Sequence, residues 1–208
     1  MRLIESAMRV FARQGIDGTV IDDVIAEAGV ARGTFYNHFA THEDLVGALH
    51  KALDNELLAL IDQEVLAHPH PADRMARGIR MALHITQQHR LLARFFARVN
   101  GLHAMTDSLA LHYMPRDLEA GVAAGVFQIP SIPVGLALAL GTTHAAVCAQ
   151  ALLAEGSPAF PEEVAAQVLR GLGVPPAQAR RLAQAPLSAV VFPEDSLLGR
   201  TLAAIQSA

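Results

Sequence analysis

Tryptophan is missing from the chain, tyrosine occurs twice and cysteine once. The lone Cys148 excludes an internal disulfide framework and a cysteine-rich zinc site, and it fits a reducing compartment. Charge is scarce as well: 17% of residues are charged against 52% hydrophobic, a balance that excludes intrinsic disorder for most of the length. Val and Ile are scattered rather than gathered into alternating runs, while Ala and Leu are abundant. Unbranched side chains lose little rotamer freedom in a helix, so the chain is read as all-α. No apolar leader with a cleavage site follows Arg2, where an amphipathic pattern begins instead, and the expected location is cytoplasmic.

A basic surplus is also lacking. The net charge is −4, so no strongly basic footprint announces nucleic acid. The longest deficit covers residues 120–154, which contain no Asp, Glu, Lys or Arg. That length suffices for a bilayer span, which takes about 20 residues. Pro130 and Pro133 interrupt its first half, however, and Thr142, Thr143, His144 and Gln150 dot its second. A helix apolar on most faces can equally lie buried at a protein interface, and that reading is preferred over a membrane one.

What is present is helical periodicity with clear punctuation. Leu3, Ile4, Ala7, Met8 and Phe11 share a face, and Gly15 ends that helix. Thr19 opens a second helix as its cap, with Asp22 three residues on. Val24, Ile25 and Ala28 form its inner face, and Gly29 suits the reversal that follows because glycine adopts positive φ without steric cost. A short third helix spans 31–39. Its Phe35 and Phe39 are expected against Ile25 and Phe11, while Arg32, Thr34, Asn37 and His38 point the other way with Tyr36 at the flank. Thr41 caps a fourth helix reaching about residue 67, with Glu43 and Asp44 in its first turn and Leu45, Leu49, Leu53, Leu57, Leu60 and Ile61 along one side. Further helices are read near 72–89, 90–103, 107–124, 134–155, 161–172 and 175–185, with a short one over 196–206.

Helix, glycine turn and short helix is the helix-turn-helix arrangement, whose second helix enters the DNA major groove. Arg can bond guanine bidentately, Asn suits adenine, and a Thr methyl can meet the thymine methyl. No acidic residue lies between Ala28 and His42, whereas Arg32, His38 and His42 do.

These residues carry a family resemblance. The run Thr19-Val20-Ile21-Asp22-Asp23-Val24-Ile25-Ala26-Glu27-Ala28-Gly29-Val30, then Gly33-Thr34-Phe35-Tyr36-Asn37-His38-Phe39, then Glu43-Asp44-Leu45, resembles the TetR family over residues 2–53. The resemblance implies an all-α homodimer, usually a repressor, with an N-terminal three-helix DNA-binding headpiece and a larger C-terminal domain that binds a small effector and dimerises. The division is placed at 1–48 and 49–208. The resemblance assigns Thr19 to a phosphate, Arg32, Gly33, Thr34, Asn37 and His38 to the groove of double-stranded operator DNA, Tyr36 to a phosphate, and His42 to a weaker one. Three departures stand out: Ala31 replaces a capping Ser or Thr, His42 replaces a lysine, and no basic N-terminal extension is seen. All three point to thin backbone anchoring.

Gly141, Ala145 and Ala149 repeat every four residues, a small-residue stripe that permits close helix approach. On the TetR reading this helix and the 161–172 helix form the dimer interface, through Leu138, Gly141, Ala145, Val147, Ala149, Leu152, Val164 and Val168; an intramolecular core helix is the alternative. For an effector pocket the expected residues are Met81, Phe95, Phe96, Val99, Met105, Tyr113, Met114 and Phe127, with His84, His103 and His144 as polar orienters. The shortage of charge implies a small, largely apolar effector. The ten histidines include no pair at helical ligand spacing alongside other ligands, and no nucleophile elbow, phosphate loop or paired-carboxylate motif occurs. Metal, cofactor and enzyme activity are therefore not expected. A helical ligand-binding protein that has lost operator binding, and a membrane-associated protein, remain alternatives.

Overall fold

The computed structural model describes residues 2–18, 20–98, 108–152 and 157–206. Among the described residues the regular elements are helices: α1 (Arg2–Gly18), α2 (Ile21–Ala28), α3 (Arg32–His38), α4 (His42–Val65), α5 (Pro71–Gln88), α6 (Arg90–Arg98), α7 (Ala110–Ala123), α8 (Ile132–Leu152), α9 (Phe160–Gly171), α10 (Pro176–Ala183) and α11 (Leu197–Gln206). The first three form the headpiece and the remainder a larger helical body, with α4 running through the boundary expected at 48/49.

In the headpiece, Leu3, Ala7, Met8, Val10 and Phe11 turn one face of α1 inward. Gly15 breaks the helix at φ 73°, where a side chain would be strained. Val24 and Ala28 bury the inner face of α2, and Gly29 reverses the chain at φ 60°. The Gly29 and Val30 N–H groups donate back to the Ala26 and Ile25 carbonyls at 3.2 and 3.3 Å, satisfying the helix end. The cap of α2 is Val20, which supplies no side-chain acceptor. Thr19, the cap expected from the sequence, lies outside the described residues.

Phe35 is fully buried and Phe39 partly so, their ring centroids 5.8 Å apart. Phe11 also meets Phe95 of α6, the two rings tilted with centroids 4.9 Å apart, so this ring ties headpiece to body. Thr41 and Asp44 complete a full capping box for α4, at 3.0 and 3.1 Å. Such a cap contributes about 1 kcal/mol.

The body is organised around α5, which packs against α4, α6, α7, α8, α9 and α10. Pro71 starts this helix where its missing N–H costs no bond. Three arginines on α5 are nearly buried, and each reaches the end of another segment. Arg74 donates to Asp117 at 2.9 Å and to the His68 and Pro69 carbonyls. Arg77 donates to Asp73 and to the Pro186 carbonyl at 2.8 Å. Arg80 donates to Glu162 and to the Ala185 carbonyl at 2.8 Å. After these anchors the tail, ambiguous in sequence, turns back to the headpiece. Leu198, Thr201 and Leu202 of α11 are buried in a helix lying on α1 and α4. Arg200 pairs with Glu5 at 3.2 Å, and Glu56 accepts the Leu198 N–H at 2.8 Å. Buried apolar residues from Leu3 to Leu202 form one connected core.

Gly121, near the end of α7, marks a tight packing point. The Val126 and Phe127 N–H groups both donate to its carbonyl, at 2.8 and 3.0 Å, and a Cβ there would come within 2.0 Å of the Phe127 ring. Gly121→Ala must displace a buried ring and is expected to destabilise the fold by about 1–3 kcal/mol. Urea unfolding checks this, with an unchanged midpoint refuting the packing argument.

Candidate DNA-reading face and effector cavity

The exposed side of α3 presents Arg32, Gly33, Thr34, Tyr36, Asn37 and His38 to solvent. Phe35, on the opposite side, holds the helix to the headpiece core, and its ring meets that of Tyr36 edge-on at 5.4 Å. The N-cap Ala31 makes no side-chain bond, as its side chain requires. Arg32 lies over the Tyr36 ring at 5.9 Å and pairs with Asp22 of α2 at 3.1 Å. An acid expected only on a flanking element thus reaches the reading face. Two further headpiece arginines are engaged internally: Arg9 and Arg13 each meet Glu27 at 2.7 Å, which clamps α1 to α2. His42 is partly buried, with its Nε2 enclosed and unpartnered.

A cavity of about 180 Å³ opens in the body, between α4, α5, α7 and α8. Phe96, Tyr113, Met114 and His144, all expected from the sequence, line it. Other expected residues lie elsewhere. Met81 and Phe95 are core residues at 1% exposure. Phe127 packs on Gly121, and His84 points to Glu162 at 2.8 Å. Val99, His103 and Met105 fall outside the described residues. Met81, His84, Phe95 and Phe127 are therefore corrected to roles in packing and ion pairing, because apolar core and apolar cavity wall look alike in sequence.

The sequence reading missed the polar wall. His50, Asp54 and Asp62 of α4 face the cavity with Arg74, Ser108, Thr143 and Asp117. Arg116 joins Asp62 in a fork of 2.7 and 3.1 Å and reaches Asp117 at 3.1 Å. The Asp62 bond, followed by Asp117, raises the Arg116 guanidinium above its ordinary value. Asp54 accepts the Ser108 hydroxyl at 2.8 Å. Burial pushes its carboxyl up, against the opposing pull of Ser108 and His144. A signal was available: polar residues at four- and eight-residue spacing beside the apolar stripe of α4. His144 also lies 3.7 Å from Cys148, one turn on, yet no cluster of three ligand-type side chains gathers among the described residues.

One face of α8 is left open. Val134, Ala137, Gly141, Ala145 and Leu152 are exposed at helical spacing, whereas Gly135, Ala139, Thr143, Ala146, Val147 and Ala151 turn inward. Only 28% of the most apolar window of this helix is buried, and its length and composition would suffice for a membrane span. Leu138, Ala149 and Val164 are partly covered; Leu138 would meet a Cβ on Gly171 at 2.6 Å. Val147 and Val168 are buried within the protomer, so they do not belong to its open face.

The headpiece geometry defines a helix-turn-helix protein, and the comparisons specify the kind. Residues 3–49 match the family described as bacterial regulatory proteins, tetR family, and residues 70–185 match the tetracyclin repressor-like C-terminal domain. The chain belongs to the TetR family. It is 32% identical over 80 residues to the HTH-type transcriptional repressor KstR2 of Mycobacterium tuberculosis, a stretch covering 38% of this chain and 40% of that protein. The match thus spans about two fifths of this curated relative. Among solved structures, RolR in complex with resorcinol superposes with a TM-score of 0.82 at 27% identity, covering 91% of this chain and 95% of RolR. FadR of Bacillus subtilis, solved with stearoyl-CoA, shares the fold at a TM-score of 0.63 and 19% identity, covering 83% and 96%.

His50 gives the cavity a pH signature. Burial, and then the nearby His144, lower its imidazole from 6.5 to about 4. Between those values the unfolded chain binds a proton that the folded one does not. His50 therefore costs no stability above pH 6.5, and stability falls as pH drops toward 4, by up to about 3 kcal/mol. His50→Leu is expected to lose this slope. Denaturant titrations of both proteins across the window check it, and parallel curves would refute it.

Proposed function

We propose that the chain is a cytoplasmic transcriptional regulator, in its simplest form a repressor, that binds a near-palindromic operator as a homodimer and releases it when a small effector fills the body cavity. The observation carrying this reading is the exposed polar face of α3, whose own residues include no acid, held at the end of the same helix system that walls the cavity. Arg32, Gly33, Thr34, Asn37 and His38 are assigned to the major groove and Tyr36 to a phosphate. Two headpieces must reach groove faces about 34–36 Å apart.

The open face of α8 supports the dimer. Its exposed residues are uncharged, and α9 lies beside it, so a symmetric pairing of α8 and α9 with their copies covers it. A membrane reading is less well supported, since the other side of α8 is packed into a bundle containing buried arginines. For the effector, RolR was solved with resorcinol. A single ring suits the 180 Å³ available, because cavities of about 150 Å³ accept benzene. Ligand binding shifts the operator-binding equilibrium only if the ligand favours one arrangement of the headpieces.

Operator binding is testable by selecting bound sequences from random DNA and measuring affinity for the winner. Arg32→Ala is expected to weaken it by about tenfold and Tyr36→Phe by less, with the fold intact by circular dichroism. Asp22→Asn frees Arg32 and removes a charge from the face, so affinity is expected to rise by up to about fivefold. No enriched palindrome, or identical affinities throughout, refutes the assignment.

The dimer has a separate test. A Cβ on Gly141 meets nothing within 4 Å in the protomer, so Gly141→Arg leaves the protomer undisturbed while charging the face. Sedimentation is expected to give twice the chain mass for the parent protein and a monomer for the variant. A monomeric parent at micromolar concentration refutes the dimer.

A further inference from the structure

The charged groups around the cavity single out one carboxylate. Asp54, Asp62 and Asp117 line it with the Arg74 guanidinium and the imidazoles of His50 and His144, and Arg116 is bonded to Asp62 and Asp117. Both guanidiniums are already spent. Arg116 grips Asp62 and Asp117, while Arg74 holds Asp117 and two backbone carbonyls. Asp54 has no arginine or lysine partner among the described residues; its hydrogen bond comes from the Ser108 hydroxyl. A carboxylate has room for about four donors across its two oxygens, so one hydroxyl leaves Asp54 with acceptor capacity for a ligand in the cavity.

The rest of the wall limits what can supply the donor. The same cavity is lined by Leu57, Leu58, Phe96, Leu140 and Val147, which favour an apolar body, with Tyr113 and Met114 offering a ring face and a polarizable sulfur. A volume of about 180 Å³ admits one ring with small substituents. An anionic ligand would meet Asp54 with no free guanidinium to compensate.

Resting on the proposal that this cavity takes the effector, we infer that it selects an uncharged single-ring molecule bearing a hydroxyl, and that Asp54 is the acceptor that selects it. The ligand hydroxyl donates to the Asp54 carboxylate beside Ser108, and the ring lies against the apolar wall. Asp54 also excludes carboxylated rings of the same size. The selecting group is thus a carboxylate on the helix that begins in the headpiece.

Calorimetric titration of the full chain with resorcinol, 1,3-dimethoxybenzene and benzoate tests this. Resorcinol is expected to bind at least about tenfold more tightly than its dimethyl ether, the usual gain for a hydrogen bond to a charged group, and benzoate more weakly than either. Asp54→Leu is expected to abolish the preference for resorcinol over the ether. Asp54→Asn, which retains size and polarity should the leucine variant fail to fold, is expected to reduce that preference and admit benzoate. The inference is overturned if benzoate matches resorcinol in the parent protein, if the preference survives in a folded variant, or if none of the three probes binds. Operator selection with the ligand-free protein reports on the regulator reading independently, so loss of one does not imply loss of the other.

Discussion

The structure depends on α4 serving two cores at once. The helix is 24 residues long, about 36 Å at 1.5 Å per residue. Its first turns place Leu45 and Leu49 among the headpiece side chains, and its later ones place Leu57, Ile61 and Val65 in the body. The Thr41–Asp44 capping box fixes where it begins. His50, Asp54 and Asp62 then project from this rod into the cavity. A molecule entering the cavity therefore touches the element that carries the headpiece, with no intermediate linker needed. That is a physical basis for coupling in which both sites bias one rigid element.

The second constraint is the burial of arginine. Arg74, Arg77 and Arg80 are spaced so that α5 aims all three at neighbouring segments, with side-chain exposures of 12%, 10% and 6%. A guanidinium so enclosed must have its donors satisfied, and removing a partner from a buried pair costs about 3–5 kcal/mol. The partners are backbone carbonyls at 68, 69, 185 and 186 as well as carboxylates. Satisfying α5 thus sets where the α4–α5 loop and the tail can run. From Pro186 the tail reaches the headpiece, where Arg200 meets Glu5, so α1 is held by the body at both Phe95 and α11. The headpiece is not a free module on a tether; its orientation is part of the body's packing.

The helices were largely legible because each combines periodicity with punctuation: Gly15, Gly29, Thr41 and the run from His68 to Pro71 all act where the sequence places them. The exposed side of α3 was legible for the same reason, since burying Phe35 forces Arg32, Thr34 and Asn37 outward on a helix of 3.6 residues per turn. The cavity was not. Met81, Phe95 and Phe127 are chemically indistinguishable from Phe96 and Met114, and only tertiary packing decides which faces empty space. The stripe on α8 was half legible: Gly141 and Ala145 are open, but Val147 and Val168 fall a fraction of a turn away and point inward. Counting charges over the whole chain also hid the carboxylates of α4, which are few but gathered in one place.

Electrostatics bears on the proposed pairing of two headpieces. Binding to DNA gains most of its non-specific affinity by releasing counterions from phosphates, roughly in proportion to the number of phosphates neutralised. Here Arg9 and Arg13 are bound to Glu27, Arg32 is held by Asp22, and His42 turns a ring nitrogen inward. Few cations remain for the backbone, and using Arg32 means breaking an exposed pair, which is a small cost. On the proposed reading, such a headpiece has few phosphate anchors and relies on the side chains assigned to the bases. A monomer with so few anchors would find competing genomic sites hard to reject on affinity alone, whereas pairing two headpieces at a fixed spacing multiplies contacts without adding charge. The apolar, uncharged face of α8 and the sparse charge of α3 are on this view complementary: the first supplies by association what the second lacks in electrostatic attraction.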